Sequence, residues 1–130
     1  MKQLLSVVTL LVDDYDAAIA HYTGALGFEL LEDTDRGGGK RWVRVAPRGS
    51  CETGLLLAKA SDAAQQARIG DQHGGRVGFF LQTDDFWRDH ARMTSHGVEF
   101  LETPREESYA TVAVFRDAYG NRWDLLQPKP

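Results

Sequence analysis

The run Val77-Gly78-Phe79-Phe80-Leu81-Gln82-Thr83, closed by Asp84-Asp85-Phe86, repeats a plan set near the start of the chain. There Val7-Val8-Thr9-Leu10-Leu11-Val12 is closed by Asp13-Asp14-Tyr15. In each copy an apolar run of strand length meets paired aspartates, and a helical stretch follows that stops at a glycine, Gly27 or Gly97. A second strand comes next, Phe28-Glu29-Leu30-Leu31-Glu32 or Val98-Glu99-Phe100-Leu101-Glu102. The copies superpose at an offset of 71 residues through the Asp-Asp pair, with one residue deleted from the second helix. Strand, cap, helix, glycine and strand in the same order mark an internal repeat.

Working outward, each helix carries signals at both ends. Asp13 or Asp14 can cap the first helix, and Asp16 suits the positive end of its dipole. Tyr15, Ala18, Ile19, Tyr22 and Leu26 fall on one face, which is the expected core face. In the second copy Thr83 or Asp84 is the expected cap, with Phe86, His90 and Met93 sharing a face. Short alternating strands follow each helix: Arg41 to Val45 and Thr53 to Ala58 in the first half, Ala110 to Phe115 and Arg122 to Gln127 in the second. The turn signals are Pro47-Arg48-Gly49 and Asp117-Ala118-Tyr119-Gly120-Asn121. Each half therefore reads as a βαβββ unit in an α+β domain. The expected boundaries are 1–60 for the first module, 61–75 for a linker and 76–130 for the second, within a single domain 1–130. Ser61 to Ile69 reads as a short helix, and Arg36-Gly37-Gly38-Gly39-Lys40 as a hairpin tip.

The 130 residues suit one domain, which on folding buries roughly 14,000 Å² of about 21,000 Å². Apolar residues at 42% and charged residues at 26% argue against disorder, and no apolar run reaches membrane-span length. The net charge of −4 disfavours a basic nucleic-acid surface. Cys51 is the single cysteine, so it forms no internal disulfide and no thiolate metal cluster. The first residues read as a strand rather than a signal peptide, and the expected location is the cytoplasm.

A tandem βαβββ repeat of this size resembles the vicinal oxygen chelate superfamily, which includes glyoxalase I, the bleomycin-resistance proteins and the extradiol dioxygenases. The matching stretches are Val8 to Asp14, His21-Tyr22-Thr23-Gly24-Ala25-Leu26-Gly27-Phe28-Glu29 and, most specific of the three, Phe115-Arg116-Asp117-Ala118-Tyr119-Gly120-Asn121-Arg122-Trp123-Asp124-Leu125. The resemblance spans nearly the whole chain. It implies two modules whose mixed sheets curl around a cavity, commonly in a homodimer. In the metal enzymes of that superfamily a His on the first strand of each module and a carboxylate on the last hold a divalent ion. Here the His positions align with Val7 and Gly78, and Asp124 stands where the family uses Glu. The first-half counterpart of Asp124 falls among Thr53, Gly54 and Leu55, beside Glu52. An ion needs three or four converging donors, so no metal cofactor is expected. His21, His73, His90 and His96 lack ligand spacing and read as exposed or packed side chains.

Strand alternation then nominates ligand-binding residues: Val7, Thr9 and Leu11; Gly78, Phe80 and Gln82; Asp124 and Leu126. Gly78 in a strand leaves room for a close approach. Trp42, Arg44, Tyr109, Thr111 and Trp123 are further candidates, able to stack on a ring or clamp a carboxylate, or else belonging to core or dimer interface. Asp124 is either paired with Arg44 or Arg76, or left desolvated with raised proton affinity as a candidate catalytic base. Glu102, Arg105, Glu106 and Glu107 read as a solvated charged loop. These readings favour a metal-independent binder of a small organic molecule. The alternative is a metal-dependent lyase, isomerase or extradiol-type dioxygenase using Asp124.

Overall fold

The second aspartate of each pair starts a helix. In the computed structural model, which describes residues 2–130, the Asp14 carboxylate accepts the Ala17 amide at 2.8 Å and Asp85 accepts the Arg88 amide at 3.1 Å. Helix α1 (Tyr15–Ala20) follows Asp14, and α3 (Phe86–Ser95) follows Asp85. The expected caps of the second helix, Thr83 and Asp84, do other work. The Thr83 hydroxyl donates to Asp89 and accepts the Asp85 amide, while Asp84 pairs with Arg88 at 2.9 Å. Helix α1 widens after Ala20 into one π-turn (His21–Ala25), where the Leu26 amide donates to the His21 carbonyl.

The chain divides into two units, Met1–Ile69 and Gly70–Pro130. In the first, β1 (Val7–Val12), β2 (Glu29–Gly37), β3 (Lys40–Ala46) and β4 (Gly54–Lys59) form a sheet in the order β1-β4-β3-β2. The β1–β4 pair is parallel, and the others are antiparallel. Alternation sorts this sheet into two faces. Leu10, Val12, Val43, Val45, Leu55 and Leu57 are buried, together with Tyr15, Ala18 and Tyr22 from the helix and its π-turn. Val7, Thr9, Leu11, Trp42, Arg44, Leu56 and Ala58 take the intervening positions and stay partly or fully exposed. The hairpin from β2 to β3 turns through Gly38 and Gly39 at φ +62 and +81, a pair of positive values that favours glycine at both. Within 61–69 only Ala63–Gln66 is helical (α2), capped by Asp62.

The second unit repeats the order with one change. Strands β5 (Val77–Gln82), β6 (Glu99–Phe100), β7 (Arg105–Glu106), β8 (Ala110–Arg116) and β9 (Arg122–Pro128) run β5-β9-β8-β6, with β7 also on β8. The strand expected over 98–102 is thus cut to Glu99–Phe100, and Arg105–Glu106 adds a short strand beyond it. Pro104 carries no amide to continue a ladder, and the Glu102 carboxylate accepts the Val114 amide at 2.9 Å in place of backbone. The face toward α3 buries Phe86, Met93, Ala113, Phe115, Trp123 and Leu125. Gln127 ties that face to the helix start, accepting the Phe86 amide at 2.8 Å and donating to the Asp84 carbonyl.

Candidate functional site

In each unit the helix covers one sheet face, and the other face holds the side chains of chemical interest. In the second unit that face is set by register. Phe80 lies opposite Asp124, Gln82 opposite Leu126, and β8 supplies Val112 and Val114 opposite Leu126 and Asp124. Phe80 is 67% exposed, an unusual state for a phenyl ring on a strand, and Tyr109 is 63% exposed. Gln82 is exposed as well. Arg105 on β7 is in register with Val112, which brings its guanidinium to the same face.

Asp124 is the acidic centre of this wall. Its Oδ1 is buried and has no hydrogen-bond partner among the described residues. Burial pushes the carboxyl above the ordinary aspartate range, the positive charge of Arg105 opposes that rise, and the negative charge of Glu102 adds to it. The expected partners of Asp124 are committed elsewhere: Arg44 is bound to Glu32 at 3.0 Å, and Arg76 lines a separate pocket. The segment read as a solvated charged loop is instead anchored on β8. Arg105 bridges Glu102 at 3.0 Å and Glu107 at 2.9 Å, and Glu106 takes the Thr111 hydroxyl at 3.0 Å. Sequence reasoning missed Arg105 and Glu102 because their placement depends on two-residue pairings that carry no periodic signal.

Two other candidates prove to be framework. Trp123 is 3% exposed; its ring lies 4.6 Å from Phe79 and 5.8 Å from Phe115, and its indole N–H donates to Asp117 at 3.0 Å. Asp117 is itself 4% exposed and also accepts the amides of Tyr119 and Asn121 at 3.0 Å each. The Asp117–Asn121 motif therefore builds the β8–β9 turn. Gly78 does permit a close approach, and the group that approaches is the chain's own His73: a Cβ at Gly78 would lie 2.3 Å from the imidazole Nδ1. The ladder also slips between Val77 and Phe79, so Gly78 sits at a bulge and the simple alternation with Phe80 fails there.

In the first unit the open face leads into a pocket of about 530 Å³, whose wall includes Trp42, Leu56, Ala58, Tyr15, Arg36 and Gln65. The Arg36 guanidinium stands over the Trp42 ring, 5.7 Å from its centroid, and covers one face of the indole. Arg44 adjoins Trp42 along the same face through β2, its partner Glu32 held below the ordinary glutamate range by the Arg44 and Thr34 hydrogen bonds. Val7 and Leu11 are half-buried and Thr9 exposed on β1.

The donor set for a divalent ion does not fit. Register makes Leu56 the first-unit equivalent of Asp124, since Thr9 lies opposite Leu56 as Phe80, 71 residues on, lies opposite Asp124. The expected place, at Thr53 to Leu55, is thus shifted by the pairing. Val7, Gly78, Leu56 and Asp124 together offer one ligating side chain. The histidines are engaged separately: His90 packs 4.2 Å from Phe100, His96 Nδ1 meets the Arg92 carbonyl at 2.8 Å, and His21 edges onto Tyr22. Among the described residues no three His, Cys, Asp or Glu side chains converge on one point.

Known proteins share this architecture. Residues 4–125 match the family model of the Glyoxalase/Bleomycin resistance protein/Dioxygenase superfamily. An uncharacterized protein of Shewanella frigidimarina (strain NCIMB 400) is 54% identical over 128 residues, spanning 98% of this chain and 95% of its own. Among solved structures, UcmS2 is 32% identical with a TM-score of 0.83, covering 97% of this chain and 98% of that one. TnmS3, an antibiotic binding protein from Streptomyces sp. CB03234, is 30% identical with a TM-score of 0.77, covering 99% and 98%.

Proposed function

The chain belongs to the Glyoxalase/Bleomycin resistance protein/Dioxygenase superfamily, and from that premise we propose that it binds a small planar organic molecule without the help of a metal. The observation that carries this reading is a pocket of about 530 Å³ in the first unit, walled by Trp42, Leu56 and Ala58 of the sheet together with Tyr15 and Gln65 of the two helices. Sites for drug-sized ligands have this character: apolar and aromatic walls with a few polar groups to set orientation. Thr9 and Arg44 are the further contacts of the proposal in the first unit, and the open face of the second unit, with Phe80, Gln82, Tyr109 and Asp124, is proposed as a ligand-binding surface of its own. Val7 and Gly78 leave the family's metal-ligand positions without donors, and Trp123 serves through the core. The likeness to TnmS3 supports an aromatic, antibiotic-like ligand class. A cytoplasmic homodimer that sequesters its ligand is the form this reading takes, and light scattering in solution tests the dimer.

The test is a melting-temperature screen against planar aromatic antibiotics and metabolites, followed by calorimetric titration of each hit. A ligand specific to the folded protein stabilises it by about 2.7 kcal/mol at 100 times its Kd. Trp42→Ala is expected to weaken a hit at least tenfold. A panel without a single hit, or a hit whose affinity survives Trp42→Ala and Phe80→Ala, rejects the proposal. Stoichiometric zinc, iron, nickel or manganese retained through dialysis would favour the metal-dependent lyase, isomerase or dioxygenase reading instead.

A further inference from the structure

A second, smaller pocket of about 200 Å³ lies within the second unit, between the loop before β5 and the β8–β9 turn. Its chemistry differs from that of the sheet faces. Arg76, Arg116 and Arg122 line it with His73 and Asn121, and no apolar side chain takes part. Arg116 and Arg122 are direct register partners on β8 and β9, a pairing of like charges that costs stability unless an anion compensates. Glu99 compensates one of them, meeting Arg116 at 2.7 Å from the far side. Arg76 and Arg122 have no carboxylate partner among the described residues. Asp71 is the single carboxylate in the wall, and it is not free.

Asn121 narrows the ligand further. It is 3% exposed, and its Nδ2 donates to both Asp117 oxygens, at 3.2 and 2.9 Å. That contact fixes which end of the amide is oxygen, and Oδ1 is left buried without a partner among the described residues. Asn121 and the three arginines line the same pocket, and that combination of an orphaned acceptor with guanidinium donors suits a ligand that carries both negative oxygens and an O–H. The walls are held by glycines. A Cβ at Gly70, whose φ is +78, would lie 1.9 Å from the Tyr119 carbonyl, and Gly78 makes room for His73.

We propose that this pocket is a phosphate site, taking hydrogen phosphate on Arg76, Arg116 and Arg122, with the phosphate O–H donated to Asn121 Oδ1. The site stands independently of the aromatic-ligand reading. The experiment titrates inorganic phosphate, sulfate and glycerol 2-phosphate into the whole protein at constant ionic strength, with melting temperature and calorimetry as readouts. Phosphate is expected to bind saturably and sulfate, which lacks the O–H, at least tenfold more weakly. Arg122→Gln is expected to weaken phosphate about tenfold, while Arg48→Gln, outside the pocket, leaves it unchanged. Both variants alter exposed side chains, so equal melting temperatures in chloride certify their folding. Glycerol 2-phosphate, a dianion without a P–O–H at neutral pH, is expected to bind as weakly as sulfate, and binding tighter than inorganic phosphate overturns the donation to Asn121. Absence of saturable binding, equal binding of sulfate, or an Arg122→Gln variant that binds as the wild type overturns the proposal.

Discussion

Asp124 is a carboxylate with one oxygen buried and unpartnered in a wall of Phe80, Val114 and Leu126. Its proton is bound more tightly in the folded chain than in the unfolded one, because burial penalises the charged form. A raised carboxyl stabilises the fold fully below the ordinary aspartate value of about 4 and loses that contribution as pH rises through the folded value. At neutral pH the charge is therefore a liability that a ligand can relieve. Asp124→Asn is expected to raise stability at pH 7 by up to about 1 kcal/mol, a low figure because the residue is only half-buried. Urea unfolding at pH 7 and pH 3.5 checks this: the gain should shrink at the lower pH, and a loss at pH 7 would mean that the carboxylate is already paired.

The elements depend on small polar devices at their ends. Paired aspartates precede both helices, and in each pair the second residue does the capping, because it sits directly before the first helical residue and its carboxylate reaches an amide of the first turn. Asp85→Ala is expected to cost about 1 kcal/mol through loss of the cap on α3. Asp84→Ala should cost at most a few tenths, since it removes an exposed ion pair with Arg88. Thermal denaturation of the two variants decides the assignment, and a larger loss from Asp84→Ala would reverse it. The Asp-Asp pair was visible in the chain, whereas the choice between its members required φ and ψ. The same holds for the slip at Gly78: a glycine within an apolar run signals a bulge or a close approach, and only the register on β9 tells that it is both.

For the whole molecule, acid is the informative perturbant. Hydrogen bonds hold three carboxyls below their ordinary ranges: Glu32 from Arg44, Asp33 from Arg41, and Glu106 from Lys129. A lowered carboxyl stabilises the fold above its unfolded value and loses that contribution as pH falls through the folded one. These three outnumber Asp124, which pulls the other way. The urea midpoint is expected to fall as pH drops below about 4.5, and Asp124→Asn is expected to steepen the fall. Added salt should flatten it, since the three pairs are open to solvent. A midpoint that rises on acidification would show Asp124 outweighing them.

The repeat, the α+β class and the alternation of buried and open strand faces were written in the chain itself, because periodicity and caps act over a few neighbouring residues. That Val7 and Gly78 carry no ligating side chain was legible too, since valine and glycine have nothing to offer an ion wherever they lie. What neighbours each side chain meets was decided by pairing between distant strands. That pairing put Leu56, rather than a residue near Glu52, in the place equivalent to Asp124. It sank Trp123 into the core, gathered three arginines from separate segments around one small pocket, and set Arg105 and Glu102 beside Asp124. Such groupings arise from registers fixed by the fit of whole faces, and no local stretch of sequence contains them.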